Sequence, residues 1–173
     1  MFQSLEEIPL ELAPGVPNDG PPAAGILPDP RVEAHNRDII NLRYELIPYL
    51  YNLSHEACSG VPIMRPLWCY YPDDEKAAQV GNEYFFGKSL LVAPVTEKGA
   101  KSWNVYLPQG NWYHYWTMEK LEGGRTVTVD APLGKIPLFV PAGGILAKAP
   151  LVQSISKEKP EGFEPLTFEI YTC

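Results

Sequence analysis

Near Gly81 the apolar residues stop recurring at helical steps and begin to fall in short β-prone runs, so the chain divides into a helical part and a β part. Upstream, Ile39, Leu42, Leu46, Tyr49, Leu50, Leu53 and Ala57 recur at steps of three and four, which predicts an amphipathic helix. Asn36 is placed to cap its start and Gly60 to take the left-handed conformation past its end. Pro48 removes one internal donor and should kink the helix near Tyr44. The run from Pro62 to Trp68 is short, apolar and bounded by prolines, so it reads as a brief buried strand or strand edge. Asp73-Asp74 can then cap a helix of about two turns that ends before Gly81.

Beyond Gly81 the β-prone runs are 84–86, 90–95, 103–107, 112–117 and 126–129, with 136–140 and 145–148 weaker. Pro108-Gln109-Gly110-Asn111 and Glu122-Gly123-Gly124 supply hairpin-type turns between them. This spacing predicts an antiparallel sandwich or small barrel. Residues 166–172 alternate after a polar, proline-broken connector and read as the first strand of a further domain.

Charge narrows the partners. The first thirty residues hold seven prolines and five acids with no Lys or Arg, and so carry most of the formal net charge of −7. They read as extended, irregular chain. A composition of 45% apolar and 12% aromatic residues suffices for a core. An acidic chain without a basic cluster cannot supply the phosphate contacts that nucleic acid requires. No apolar run approaches the roughly 20 residues of a membrane span. No signal peptide is visible, because MFQSLEEIPLEL carries acid where a leader carries base. A soluble chain is expected, with the cytoplasm preferred and no compartment assigned. Cys58, Cys69 and Cys173 are odd in number and show no Cys-x-x-Cys spacing, so reduced thiols are expected. Asn52-Leu53-Ser54 fits a glycosylation pattern, but it falls inside the predicted helix.

Few residues point to chemistry. His35, His55 and His114 each lack a metal-type neighbour at ligand spacing, so no metal site is expected. Gly123-Gly124 and Gly143-Gly144 lie between strands and read as turns rather than phosphate loops. Asp73-Asp74 is the obvious carboxylate pair, yet adjacent acids at a helix start act as cap and dipole partners. In Trp112-Tyr113-His114-Tyr115-Trp116 both faces of one strand carry rings. One face must be core; the other, with Trp112 and Trp116 as candidate substrate-binding residues, could stack on sugar rings or pack on a neighbouring domain. Arg65, in an otherwise apolar run, is expected to form a structural ion pair with a buried carboxylate.

The particular wording of the chain adds a resemblance. The run from Leu42 to Leu53, LRYELIPYLYNL, resembles the LRYxLLPYLYxL segment of glycoside hydrolase family 31, the α-glucosidase and α-xylosidase group. Gly60-Val61-Pro62-Ile63-Met64-Arg65-Pro66-Leu67 resembles its GxPxxRPL, followed by Pro72 and Asp74 for its Pro-x-Asp. Tyr84-Phe85-Phe86-Gly87 and Leu90-Leu91-Val92-Ala93-Pro94-Val95 are similar to its QFxxG and LLVAPV segments. Val105-Tyr106-Leu107-Pro108 with Gly110-Asn111-Trp112-Tyr113 resembles VYLPxGxWYD, and Ala131-Pro132-Leu133 with Ile136-Pro137-Leu138-Phe139-Val140 resembles APLxxIPxFVRxG. Where the family has the aspartate of WYD and the arginine after FV, this chain has His114 and Pro141.

The resemblance implies a mixed fold: the C-terminal helix and strand of an incomplete (β/α)₈ barrel, followed by an antiparallel β-sandwich domain. The implied division is an irregular Pro-rich segment at 1–35, the last barrel elements at 36–80, a proximal β-domain at 81–150, and at 151–173 a connector with the first strand of a truncated distal β-domain. It also implies part of a retaining α-glycosidase, an α-glucosidase acting on oligosaccharides. The rest of the catalytic barrel would be the partner, and no cofactor is expected. The family's nucleophile motif, of Trp-x-Asp-Met-Asn-Glu type, and its upstream acid/base aspartate do not occur here, so no catalytic residue is carried over and the chain alone is expected to be inactive. Trp116-Thr117-Met118-Glu119 is the nearest imitation, in a predicted hairpin, and His35 lies too close to Arg43 to be the family's substrate-binding histidine. Two alternatives stay open, a non-catalytic carbohydrate-binding or structural β-module and an inactive gene fragment.

Overall fold

The computed structural model describes residues 30–151 and 165–172. Most of the proline-rich opening, the connector to the last strand, and Cys173 lie outside the described residues.

Helix α1 (Pro30–Glu45) starts earlier than the apolar spacing predicts, so Asn36 lies within it and caps nothing. A proline at a first helical position costs no internal bond and has φ already set. In place of one helix kinked near Tyr44, the chain forms two: Leu46, with φ of −83° and ψ of 6°, leaves the helical range, and α2 (Ile47–Cys58) follows with Pro48 in its first turn. Pro48 has no N–H to donate to Tyr44, but the bonds on either side survive: Leu46 N–H reaches Leu42 O at 3.0 Å and Leu50 N–H reaches Leu46 O at 2.9 Å. Gly60 ends the helical stretch at φ 88°.

Strand β1 (Met64–Arg65) is only two residues long, because the flanking prolines cannot donate to a ladder; a 3₁₀ turn follows at Leu67–Cys69. Helix α3 (Glu75–Gln79) is capped by Asp74, whose Oδ1 accepts the N–H groups of Lys76 and Ala77 at 3.0 and 3.2 Å. The β part contains β2 (Tyr84–Phe86), β3 (Leu90–Val92), β4 (Ser102–Leu107), β5 (Asn111–His114), β6 (Lys120–Glu122), β7 (Arg125–Asp130), β8 (Leu138–Pro141), β9 (Ile145–Lys148) and β10 (Thr167–Ile170). The expected strand at 112–117 stops at His114 because the chain turns back there, with Met118 at φ 59°.

Among the described residues all pairings are antiparallel. Six strands form one sheet in the order β1-β2-β3-β8-β5-β6, while β4-β7 and β9-β10 form two ribbons. The sheet is covered on both faces, and the period of two shows how. Phe85, Leu91, Trp112 and Phe139 point to a core shared with Val105 and Leu107 of β4, Leu67 and Ala77. Their neighbours Leu90, Val92, Leu138 and Val140 point the other way, to a core shared with Leu46, Tyr49 and Leu53 of the helices, Leu146 of β9 and Tyr171. Burial on both faces is why these strands read as continuous apolar runs. On β7 only Val127 and Val129 face a core, and the alternate Thr126, Thr128 and Asp130 are exposed.

Candidate functional site

Arg65 ties the helical part to the first strands. Its Nη2 donates to Glu56 Oε2 of α2 at 2.6 Å, its Nε to Pro62 O at 2.6 Å, and its Nη1 to the Tyr70 hydroxyl. The guanidinium also lies 5.6 Å from the Tyr70 ring centre, and Tyr70 donates in turn to Gly87 O at 3.2 Å. One buried side chain thus joins α2, β1, the 3₁₀ turn and the β2–β3 turn. Burial works against its charge, and the hydrogen bonds to Glu56 and Tyr70 outweigh that effect and raise its pKa. The carboxylate is half-exposed rather than buried, with Arg65 7% and Glu56 41% accessible at the side chain.

Tyr49 makes a parallel link. Its hydroxyl donates to Phe86 O at 2.7 Å and accepts Ser89 N–H at 3.1 Å. Gly87 sits at φ 68°, and a Cβ there would overlap the Tyr49 hydroxyl and Leu53. Both the backbone conformation and the close approach of α2 therefore require glycine.

Of the Asp73-Asp74 pair, Asp74 is committed to structure and Asp73 is exposed. Besides capping α3, Asp74 accepts the Tyr106 hydroxyl on Oδ2 at 2.6 Å, which holds its pKa below the ordinary range. Burial and this same bond push Tyr106 up to about 12. The two residues edge an open polar cleft of about 570 Å³ with Gln109, Asn111 and Glu122. Glu83, which the sequence pattern does not single out, is buried: Oε1 accepts Tyr106 N–H at 2.8 Å and Oε2 has no partner. Burial pushes its pKa up to about 7. Nothing in its sequence surroundings signals this, because the burial comes from β4, more than twenty residues away. On the other face Lys148 donates to Glu169 at 2.6 Å and lies 4.8 Å from the Tyr115 ring centre, a network equally invisible in the sequence.

The two tryptophans are placed differently. Trp112 is fully buried among Tyr71 and Phe85, and its indole N–H donates to Pro108 O at 2.8 Å, so it has no face for a sugar. Trp116 is half-buried, donates to Ile136 O at 2.7 Å and carries Lys135 Nζ 5.7 Å from its ring centre. The opposite face of β5 is covered as well, since Tyr113 packs on Tyr171 and donates to Thr172 O. Cys58 and Cys69 are exposed free thiols, and the described residues contain no cluster of three or more His, Cys, Asp or Glu that could hold a metal. No described helix is long and apolar enough to cross a membrane.

Part of the uncovered helical surface is apolar. Ile40, Tyr44 and Tyr51, at steps of four and seven along α1 and α2, are 52%, 42% and 63% exposed, and Met64 and Trp68 are exposed beside β1.

Over residues 60–146 the chain matches the family model described as the glycosyl hydrolase family 31 C-terminal domain. It is 39% identical over 133 residues to alpha-glucosidase 2 of Bacillus thermoamyloliquefaciens, covering 76% of this chain and 16% of that protein. To the alpha-xylosidase of Saccharolobus solfataricus it is 40% identical over 134 residues, covering 76% of this chain and 18% of that one. Among solved structures it superposes on the family 31 dextranase of Flavobacterium johnsoniae in complex with isomaltotriose, with a TM-score of 0.75 and 42% identity over 81% of this chain and 17% of that chain. The chain therefore spans less than a fifth of the length of each of these relatives.

Proposed function

Since the chain belongs to glycosyl hydrolase family 31, we propose that it supplies barrel closure and a β-domain to a retaining α-glycosidase, an α-glucosidase that releases terminal α-linked glucose from oligosaccharides. In this reading residues 1–35 are an irregular lead, 36–80 are the last elements of a (β/α)₈ barrel, 81–150 are the proximal β-domain, and 151–173 are a connector and the first strand of a distal one. A barrel of this kind takes on the order of 250 residues, so its remainder is the partner of this piece.

The observation that carries the reading is the uncovered side of the helix pair. Leu46, Tyr49 and Leu53 face the sheet, whereas Ile40, Tyr44 and Tyr51 face away from any described residue that could bury them. An amphipathic helix apolar on two sides belongs between two layers. Retaining hydrolysis requires a nucleophile and an acid/base carboxylate roughly 5 Å apart, working by double displacement through a glycosyl-enzyme. The family's nucleophile motif and its acid/base aspartate do not occur in this sequence, and Asp74, Glu56 and Glu83 hold the fold together, so the reacting pair is assigned to polypeptide outside these residues. Double displacement needs no cofactor.

The test is the intact mass of the native polypeptide, located through tryptic peptides from residues 42–95, together with its action on α-glucosides. A species far heavier than 19.3 kDa that releases glucose with retained anomeric configuration is expected. A native species of 19.3 kDa with no bound partner overturns the reading.

A further inference from the structure

His114 ends β5 and is buried, its ring edge-on to Phe139 at 5.2 Å between centres. Its Nδ1 receives the backbone N–H of Thr117 at 3.3 Å and lies 3.0 Å from Thr117 Oγ1. A backbone N–H only donates, so Nδ1 presents its lone pair and the proton of the neutral ring sits on Nε2. The Thr117 hydroxyl can then donate to Nδ1 while its oxygen accepts Glu119 N–H at 3.4 Å. The same turn is closed by His114 N–H to Glu119 O at 2.9 Å and Met118 N–H to His114 O at 2.8 Å, and it holds Met118 at φ 59°, a conformation that costs free energy for a non-glycine residue. Tyr115 and Trp116 ride on this turn, and through Trp116 it grips Ile136 and Lys135 in the segment that leads into β8.

We propose that His114 is a proton-sensitive latch: a proton taken up at Nδ1 turns the acceptor into a donor, sets N–H against N–H at Thr117, and releases the turn together with the hold of Trp116 on Ile136. No bond other than N–H is made, and the proton comes from solvent. The charged groups acting on the ring are Glu119 from its own turn and Lys135 from the segment before β8, and Asp130 of β7 lines the same cleft of about 260 Å³. Burial holds His114 below the ordinary histidine value of 6.5; Glu119 opposes this and Lys135 reinforces it. The latch is therefore shut at neutral pH. Its contribution to stability is present above 6.5 and is lost as pH falls through the lower value of the folded state.

The test is nitrogen NMR of the full chain with labelled histidine, the His114 signals assigned by comparison with the His114→Asn variant. At pH 7.5 an unprotonated Nδ1 is expected, and on acidification the ring should protonate with a midpoint below 6.5, in step with a shift of the Trp116 indole N–H resonance. In the His114→Asn variant the amide oxygen accepts from Thr117 at every pH, so the Trp116 resonance should stay constant from pH 7.5 to 5. An Nδ1–H tautomer at pH 7.5 overturns the latch. So does a Trp116 resonance indifferent to protonation of His114, or one that titrates identically in the variant.

Discussion

Replacing Glu83 by glutamine should change how the stability of this fold depends on pH, by an amount its burial sets. In the unfolded chain the carboxyl ionises near its ordinary 4.5; in the fold it keeps its proton until about 7. Between these values the folded state binds more protons, so stability falls as pH rises through the window, with the full penalty above 7 and none below 4.5. At 1.36 kcal/mol per pH unit the penalty reaches about 3 kcal/mol. Glutamine keeps an acceptor for Tyr106 N–H and is neutral at every pH. Its NH₂ group, placed where Oε2 has no partner, costs about 1–3 kcal/mol regardless of pH. The stability of Glu83→Gln relative to the parent should therefore be about 3 kcal/mol more favourable at pH 8 than at pH 4.5, or roughly 6–12 °C in Tm for a chain of this size. Urea unfolding of both proteins at both pH values measures it, and titrations shared by the two, including that of His114, cancel in the difference. A difference that does not move with pH, or a variant that loses ground as pH rises, refutes the assignment of a buried, protonated Glu83.

Arg65→Met should destabilise by about 2–3 kcal/mol, because hydrogen bonds to a charged group are lost and Pro62 O and the Tyr70 hydroxyl are left without their donor; denaturant titration reads this, and an unchanged midpoint contradicts it. Gly87→Ala meets both a positive φ and an occupied space, so a loss of more than about 2 kcal/mol is expected in the same assay. Trp112→Ala should cost about 3–5 kcal/mol as a core truncation. Titrating the parent with isomaltotriose should leave the buried Trp112 emission, identified by difference from a Trp112→Phe variant, unchanged; a saturable change would instead support a sugar-binding module.

Much of the architecture was legible from local pattern. Pro48 marked the break at Leu46, Asp74 the cap of α3, and Gly60 the end of α2, since each acts within one turn of its own position. The start of α1 at Pro30 was missed because Asn36, a good cap in principle, is overridden by a helix already begun. Strand β6 was missed because Lys120-Leu121-Glu122 has no strand character of its own and is formed by pairing with β5. The order of the large sheet, with β8 between β3 and β5, depends on pairings across forty residues that no short window contains. The same reason hid Glu83 and the contacts of Lys148. The rings on both sides of β5 mark one face as core and leave the other open to a sugar or to packing; the structure covers both.

Phe139 and Val140 adjoin in the chain, yet one sits among Phe85 and Trp112 and the other among Leu46, Leu53 and Leu146. The six-stranded sheet is thus a partition whose two sides share a backbone but few side-chain neighbours. Changes on opposite sides should combine nearly additively, whereas changes on one side should be coupled. Such a wall lets the side that carries the helices and β9 be repacked while the side that carries β4 and β7 keeps its own contacts.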